Sequence, residues 1–383
     1  MSGLADVVVV GAGIVGAACA RACALRGLRT VVVDGAVVGG GATAAGMGHI
    51  VAMDDSPAQL ALTAYSQQLW REMAEDLPPE VEFDACGTLW VAADEEEMAE
   101  VRRKQGVYAS IGIATEVLDS HALAEAEPHL RRGLAGALQA GSDAVLYPPC
   151  AAAFLIREAQ RAGAEVLLGQ AVVSAGQGRV RLQNGTALSA ARIVLAAGAD
   201  SSRLLPGVPV RKRRGHLVIT DRYPGYVRHQ LVELGYLKSA HSMTTDSVAF
   251  NVQPRKTGQL LIGSSREYGA EVAEVNRALM TAMLARAESY LPGLGALGAI
   301  RVWTGFRAAT PDKLPLIGPW PGDATLWLAT GHEGLGITTS LGTAEVLVTG
   351  MLGGKRPIPP EPYLPGRFAG AHEGAPVTEQ AHA

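Results

Sequence analysis

The sequence predicts an α/β fold: a parallel, Rossmann-like sheet at the start of the chain, then an interleaved α+β unit built on an antiparallel sheet. Three observations predict the first unit. Residues 7–10 are four consecutive valines, which suits a strand buried on both faces. Gly11-Ala12-Gly13-Ile14-Val15-Gly16 follows at once and opens an Ala-rich helix that stops at Gly27. Residues 30–33 form a second β-branched run, ending on Asp34. Composition agrees. Of 383 residues 46 are Gly and only 5% are aromatic, so helices and sheet can pack closely. With 48% hydrophobic and 18% charged residues, global disorder is excluded.

The glycine spacing has a chemical meaning in this strand–turn–helix setting. Gly11 permits the tight turn, Gly13 lets backbone approach a pyrophosphate, and Gly16 allows close helix–strand packing. The helix N-terminus, with Ile14 and Val15, offers free N–H groups and a positive dipole end to phosphate. Asp34 stands where a carboxylate accepts hydrogen bonds from ribose hydroxyls, and it would repel the 2′-phosphate of NADP. These features alone do not separate FAD from NAD. Residues 39–49 are rich in Gly, Ala and Thr (Gly41, Ala42, Thr43, Ala45, Gly46, Met47), a composition that lets backbone run along an extended cofactor.

Further along, Pro78-Pro79 marks a break, and residues 87–92 read as a strand. Residues 94–105 read as a charged, solvated helix and 120–127 as a short helix capped by Ser120. Residues 148–162 read as a helix stopped by Gly163. Strands are expected at 165–168 and 171–173, with Asn184-Gly185 turning a hairpin between 180–182 and 186–188. A separate buried strand is expected at 192–195, leading into Ala197-Gly198-Ala199-Asp200. Residues 213–219 start a new strand, 250–255 and 258–265 a hairpin, and 276–290 a helix. Arg307 lies in an apolar stretch, where a guanidinium needs an anionic partner. A substrate carboxylate or a protein acid would serve. Residues 326–330 read as a strand running into Gly331-His332-Glu333-Gly334-Leu335-Gly336-Ile337-Thr338 and a helix through Val348.

These motifs, in this order, resemble the FAD-dependent amino-acid oxidoreductases of the D-amino-acid oxidase, glycine oxidase and sarcosine oxidase type, over nearly the whole chain. The wording of 331–340, with Gln253-Pro254-Arg255 and 258–265, is most similar to D-hydroxyproline dehydrogenase and opine-oxidase-like members. The resemblance implies a glutathione-reductase-type FAD domain from 1–78, 140–208 and 308–370 and a substrate domain from 79–139 and 209–307; the Gly/Pro-rich end of the chain suggests a disordered tail over 371–383. It implies FAD contacts from Gly41 to Met47, from Ala197 and Gly198, from the backbone of Val172 against adenine, and from Gly331 to Thr338 closing the flavin site. It implies that Arg307 grips a substrate carboxylate, with His49, Tyr147 and His332 as further contacts to amine or flavin. The family's Arg-Gly-Gln is Arg-Gly-His here, at His216, and Asp200 also departs from its pattern.

The implied reaction is oxidation of the Cα–N bond of a small D-amino or imino acid by hydride transfer to flavin N5. The first choice of substrate is cis-4-hydroxy-D-proline or D-proline. A glycine or sarcosine oxidase, or an FAD-containing subunit of a hetero-oligomer, are the alternatives. Oxygen, a quinone or another carrier takes the electrons. Non-covalent FAD is expected, since no cysteine lies near Arg307 or Gly331 in sequence. A net charge of −4, from 33 basic and 37 acidic residues, argues against nucleic acid as a partner. The four cysteines show no metal spacing and read as buried cytosolic thiols. The first apolar run is broken by four glycines and Arg21, unlike a signal peptide or membrane span. A cytoplasmic location is the expectation.

Overall fold

The computed structural model describes residues 4–235 and 246–368. The proposed tail over 371–383 lies outside them. Two large sheets face each other across a cavity. In the first, the strand order is 316–320, 323–330, 187–195, 5–10, 30–33 and 165–167. All pairs are parallel except Leu316–Trp320 with Asp323–Thr330. Val7, Val8 and Val9 are wholly buried in its middle. Helix Ile14–Leu25 packs on one face between helices Pro148–Arg161 and Gly336–Met351. Its buried residues are mostly Ala, and a Cβ at Gly16 would stand 1.9 Å from the Gly11 carbonyl oxygen. The opposite face is covered by strands Val172–Gly176 and Arg179–Leu182, through Val172, Val180 and Leu182.

The second sheet has the order 299–309, 211–222, 259–266, 247–254, 230–233, 88–92, 136–140 and 116–119. It is antiparallel except where Gln230–Glu233 lies parallel to Thr88–Ala92. Helix Arg277–Tyr290 covers its outer face, burying its own Met283 and Tyr290 with Phe250 of the sheet.

The sequence reading differs from the structure in several places; helix Pro57–Met73 and strands Glu116–Asp119, Gly136–Ala140 and Leu316–Trp320, for example, were not expected. Ala187–Leu195 is one strand, not two: its first half completes the hairpin and its second half enters the parallel sheet. Asp119, not Ser120, caps helix Ser120–Ala126, its carboxylate accepting from the N–H groups of His121 and Ala122. Helix Glu95–Ser110 is not merely a solvated face, because Val101, Lys104 and Tyr108 are wholly buried. Strand Gln230–Glu233 has no counterpart in the sequence reading. Among the described residues no helix is long and apolar enough to cross a membrane, and no side-chain cluster could hold a metal ion.

Candidate active site

The cavity, about 700 Å³, opens at the carboxyl ends of the parallel strands where 5–10 separates 30–33 from 187–195. Reversal of strand order there leaves a crevice suited to ligands. Gly11, Gly13, Ile14 and Val15 line it at the start of a helix that has no side-chain cap. The Ile14 N–H donates instead to Thr43 Oγ1 at 3.0 Å, which docks the 41–47 segment on the helix end. Asp34 lines the cavity from the end of its strand. Its two carboxylate oxygens accept from the N–H groups of Ala12 (2.7 Å) and Ala36 (2.8 Å). Ala197, Gly198 and Asp200 lie on the adjoining edge. Gly11 has φ +110°, and a Cβ there would meet the Ala196 carbonyl at 2.5 Å. A glycine turn, a bare helix end and a held carboxylate in one groove fit a dinucleotide.

The second sheet forms the opposite wall. Arg213 and Arg307 are directly opposed on adjacent strands, a pairing that like charges disfavour. Glu333 resolves it: its carboxylate pairs with Arg213, and its N–H donates to the Ala308 carbonyl at 2.9 Å. The glycine-rich 331–336 loop is thereby tied to this sheet. The Arg307 guanidinium lies over Gly215, where a Cβ would stand 2.3 Å from Nη1, and donates from Nη1 to the Ser265 carbonyl at 2.9 Å. On its other side the side chain passes Gly334, with 3.4 Å between Nε and that residue's Cβ position. Gly305, opposite Gly215, gives room to Ala45, whose Cβ would be 2.3 Å from an added methyl.

Three histidines line the same cavity, and two of them, His49 and His216, feel the Arg307 charge. His49 lines the cavity with its Nδ1 buried and unpartnered, and burial together with the Arg307 charge depresses it to about 4. His332 lies against Thr343 (Nε2 to Oγ1, 3.0 Å), and burial depresses it to about 3. His216 is wholly buried. Its Nε2 accepts from the Asn276 N–H at 2.9 Å, so in the neutral ring Nδ1 carries the proton and donates to Ser265 Oγ at 2.8 Å. It therefore fixes the residue whose carbonyl receives Arg307.

The cavity gathers most of the residues singled out from the sequence: Gly11 to Val15 without Ala12, Asp34, Gly41 to Met47 without Ala44, Ala197, Gly198, Arg307, His49, and Gly331 to Ile337. Four lie outside its lining. Gly16 serves helix packing. Thr338 turns its hydroxyl to the His49 carbonyl at 2.9 Å. Val172 is in the core of the first sheet, although Gln170 nearby donates its N–H to the Asp34 carbonyl. Tyr147 precedes the 148–161 helix, its ring 4.3 Å from the Arg255 guanidinium, which pairs with Glu82. Trp90, Gln230, Asn251 and Arg266 also line the cavity and were not singled out. Asn251 stands between Phe250 and Val252 and carries the same signal that marked Arg307: a polar residue in an apolar strand.

A family model described as DAO, FAD dependent oxidoreductase, matches residues 6–349. A glycine oxidase of Pseudomonas aeruginosa is 28% identical, across 94% of this chain and 98% of that protein. The hydrogen cyanide synthase subunit HcnC of the same species is 28% identical, across 95% and 96%. The crystal structure of glycine oxidase from Geobacillus kaustophilus superposes with a TM-score of 0.83 at 25% identity, covering 94% of this chain and 98% of that one.

Proposed function

The chain belongs to the DAO family of FAD-dependent oxidoreductases, and we propose that it oxidises the Cα–N bond of a small D-amino or imino acid, with cis-4-hydroxy-D-proline and D-proline the leading substrates. One observation carries this reading. The Arg307 guanidinium is held by the Ser265 carbonyl between Gly215 and Gly334, on the wall facing the dinucleotide groove. A planar cation so placed suits a carboxylate.

Gly11 to Val15 and Gly41 to Met47 would hold the pyrophosphate and the adjoining chain of FAD, Asp34 the ribose, and Gly331 to Ile337 the flavin end. When bound, FAD supplies the acceptor for the hydride that leaves Cα. Arg307 fixes the carboxylate and so sets the direction of the Cα–H bond. The burial that keeps the His49 imidazole neutral would also disfavour the ammonium form of a substrate amine. The amine then keeps its lone pair, and the Cα–N bond gains double-bond character as the hydride departs. His49 Nδ1 stands ready to hydrogen-bond that amine. Water afterwards hydrolyses an open imine. None of the four cysteines lines the cavity, which supports non-covalent FAD. Flavin retained in an acid-precipitated pellet would contradict it.

The likeness to glycine oxidase supports a second reading, a glycine or sarcosine oxidase, and the likeness to HcnC supports a role within a hetero-oligomer. Anaerobic bleaching of bound flavin by D-proline, cis-4-hydroxy-D-proline, glycine, sarcosine and other D-amino acids separates them. Bleaching by the imino acids is expected. Bleaching by glycine and sarcosine alone would select the second reading, and bleaching by none until partner chains are added would select the third. Peroxide formed during turnover marks an oxidase.

A further inference from the structure

Several buried polar side chains on the second sheet carry an unpartnered atom, and three of them lie together on the cavity wall. Trp90 is 2% exposed and its indole Nε1–H has no hydrogen-bond acceptor. Gln230 is 2% and Asn251 7% exposed, and each has an unpartnered side-chain oxygen. A buried polar atom without a partner costs about 1–3 kcal/mol, and such atoms are few in native proteins. Here all three residues line the cavity that holds Arg307. They also lie together. Trp90 pairs with Val232 and Val232 with Asn251 across three neighbouring strands, and Gln230 is two residues from Val232, on the same face. The Trp90 ring is held from behind by the buried Lys104 ammonium, 4.1 Å from its centroid, which is itself paired with Asp54.

Asn251 is opposite Gly263, one strand over and two residues from Ser265, whose carbonyl receives Arg307. Sheet spacings put that separation at about 8 Å. A five-membered ring spans about 4 Å from its carboxyl carbon to its far carbon at ~1.5 Å per bond, and hydrogen bonds at both ends complete the reach.

We propose that Trp90, Gln230 and Asn251 form a subsite for a neutral hydroxyl carried by the substrate on the side away from its carboxylate. A hydroxyl accepts from the indole N–H and donates its one hydrogen to one of the two amide oxygens, of Asn251 or of Gln230. An ammonium cannot accept from the indole, and a carboxylate cannot donate to an amide oxygen. The subsite rests on Arg307 holding the carboxylate, and it distinguishes a hydroxylated imino acid from glycine, sarcosine or proline. A site built to pair a hydroxyl discriminates against the analogue that lacks it, because its own groups are then left unpaired.

The test uses the FAD-loaded protein and two rings that lack an amine and cannot be oxidised, cyclopentanecarboxylate and cis-3-hydroxycyclopentanecarboxylate. Dissociation constants are read from the perturbed flavin absorbance and from thermal stabilisation. The hydroxylated ring is expected to bind at least ~10-fold tighter. In Asn251→Ala and in Trp90→Phe, each checked for bound FAD and a cooperative melt, the ratio should fall toward one. Equal affinity of the two rings in the parent protein, no binding of either, or an unchanged ratio in both variants overturns the subsite. Arg307→Ala separates this from the underlying reading. If neither ring loses affinity there, the carboxylate assignment fails, whatever the ratio.

Discussion

Replacing Gly215 with Ala tests the Arg307 geometry without touching its charge. A Cβ at 215 would stand 2.3 Å from Nη1, 2.8 Å from Cζ and 2.9 Å from Nη2 of Arg307. Ordinary van der Waals contact begins at 3.4 Å, so the guanidinium must retreat by about 1 Å. The obstacle is the far end of a long flexible side chain, so the fold absorbs the change and the melting temperature should fall by only a few degrees. Substrate binding cannot absorb it, because a carboxylate pairing depends on both distance and direction. A hydrogen bond to a charged group contributes about 1.5–3 kcal/mol, or roughly tenfold to a hundredfold in KM. The assay is steady-state turnover of whichever substrate bleaches the flavin best, with FAD content and melting temperature measured on the same preparation. A KM within twofold of the parent, in a variant that keeps its FAD, would refute the placement of the carboxylate against Arg307.

Four further outcomes follow. Arg307→Ala should raise KM sharply while leaving FAD bound, and unchanged kinetics would remove Arg307 from the substrate site. Asp34→Ala strands the N–H groups of Ala12 and Ala36 and removes the proposed ribose acceptor; FAD should dissociate at least ~10-fold more readily, measured by fluorescence of released flavin. Buried His332 has its proton affinity lowered to about 3, so the folded state resists a proton that the unfolded chain takes up below about 6.5. Its contribution to stability is present above pH 6.5 and is lost at about 1.4 kcal/mol per unit as pH falls toward 3. Urea midpoints for His332→Gln between pH 6.5 and 4.5 should show a correspondingly shallower decline, and parallel curves would contradict the assignment. Asp143 has the opposite sign. Burial raises it to about 6, so its penalty grows as pH rises from about 4 to 6. Asp143→Asn, which can keep the acceptor for Gln67 Nε2 (2.7 Å), should therefore be the more stable form at pH 8, by up to about 3 kcal/mol, and should lose that advantage at pH 4.

How much of this was legible in the sequence depends on the range of the interaction. The strands at 5–10 and 30–33 and the turn between them follow from local composition, because β-branched residues and positive-φ glycine settle the matter within a few positions. The same is true of the 336–351 helix. Strand Gln230–Glu233 is four residues long and exists because Thr88–Ala92 pairs with it in parallel, a contact no local pattern announces. The continuity of Ala187–Leu195 was hidden for a related reason: each half answers to a different partner strand. Arg307 was legible because a charge in an apolar run stands out. Tyr147, a candidate amine or flavin contact, lies outside the cavity lining with its ring beside Arg255, an orientation no local sequence pattern announces.

The glycines join these levels. Read from the sequence, the clusters at 11–16, 39–48 and 331–336 mark places where a cofactor approaches backbone. In the structure two of these glycines and two outside the clusters are approached by the chain itself: Gly11 by the Ala196 carbonyl, Gly46 by Ile337, and beyond them Gly215 by Arg307 and Gly305 by Ala45. Each of these contacts joins segments far apart in sequence, and all lie around one cavity. A side chain at any of them would push one wall away from another. The missing Cβ atoms therefore do more than admit a ligand. They let the parallel sheet, the 41–47 segment, the 331–336 loop and the arginine-bearing sheet close around one cavity, as the proposed contact of one small substrate with both Arg307 and FAD requires. Gly215 and Gly305, which belong to no nucleotide motif, therefore have as little room for a Cβ as Gly11 of the first turn.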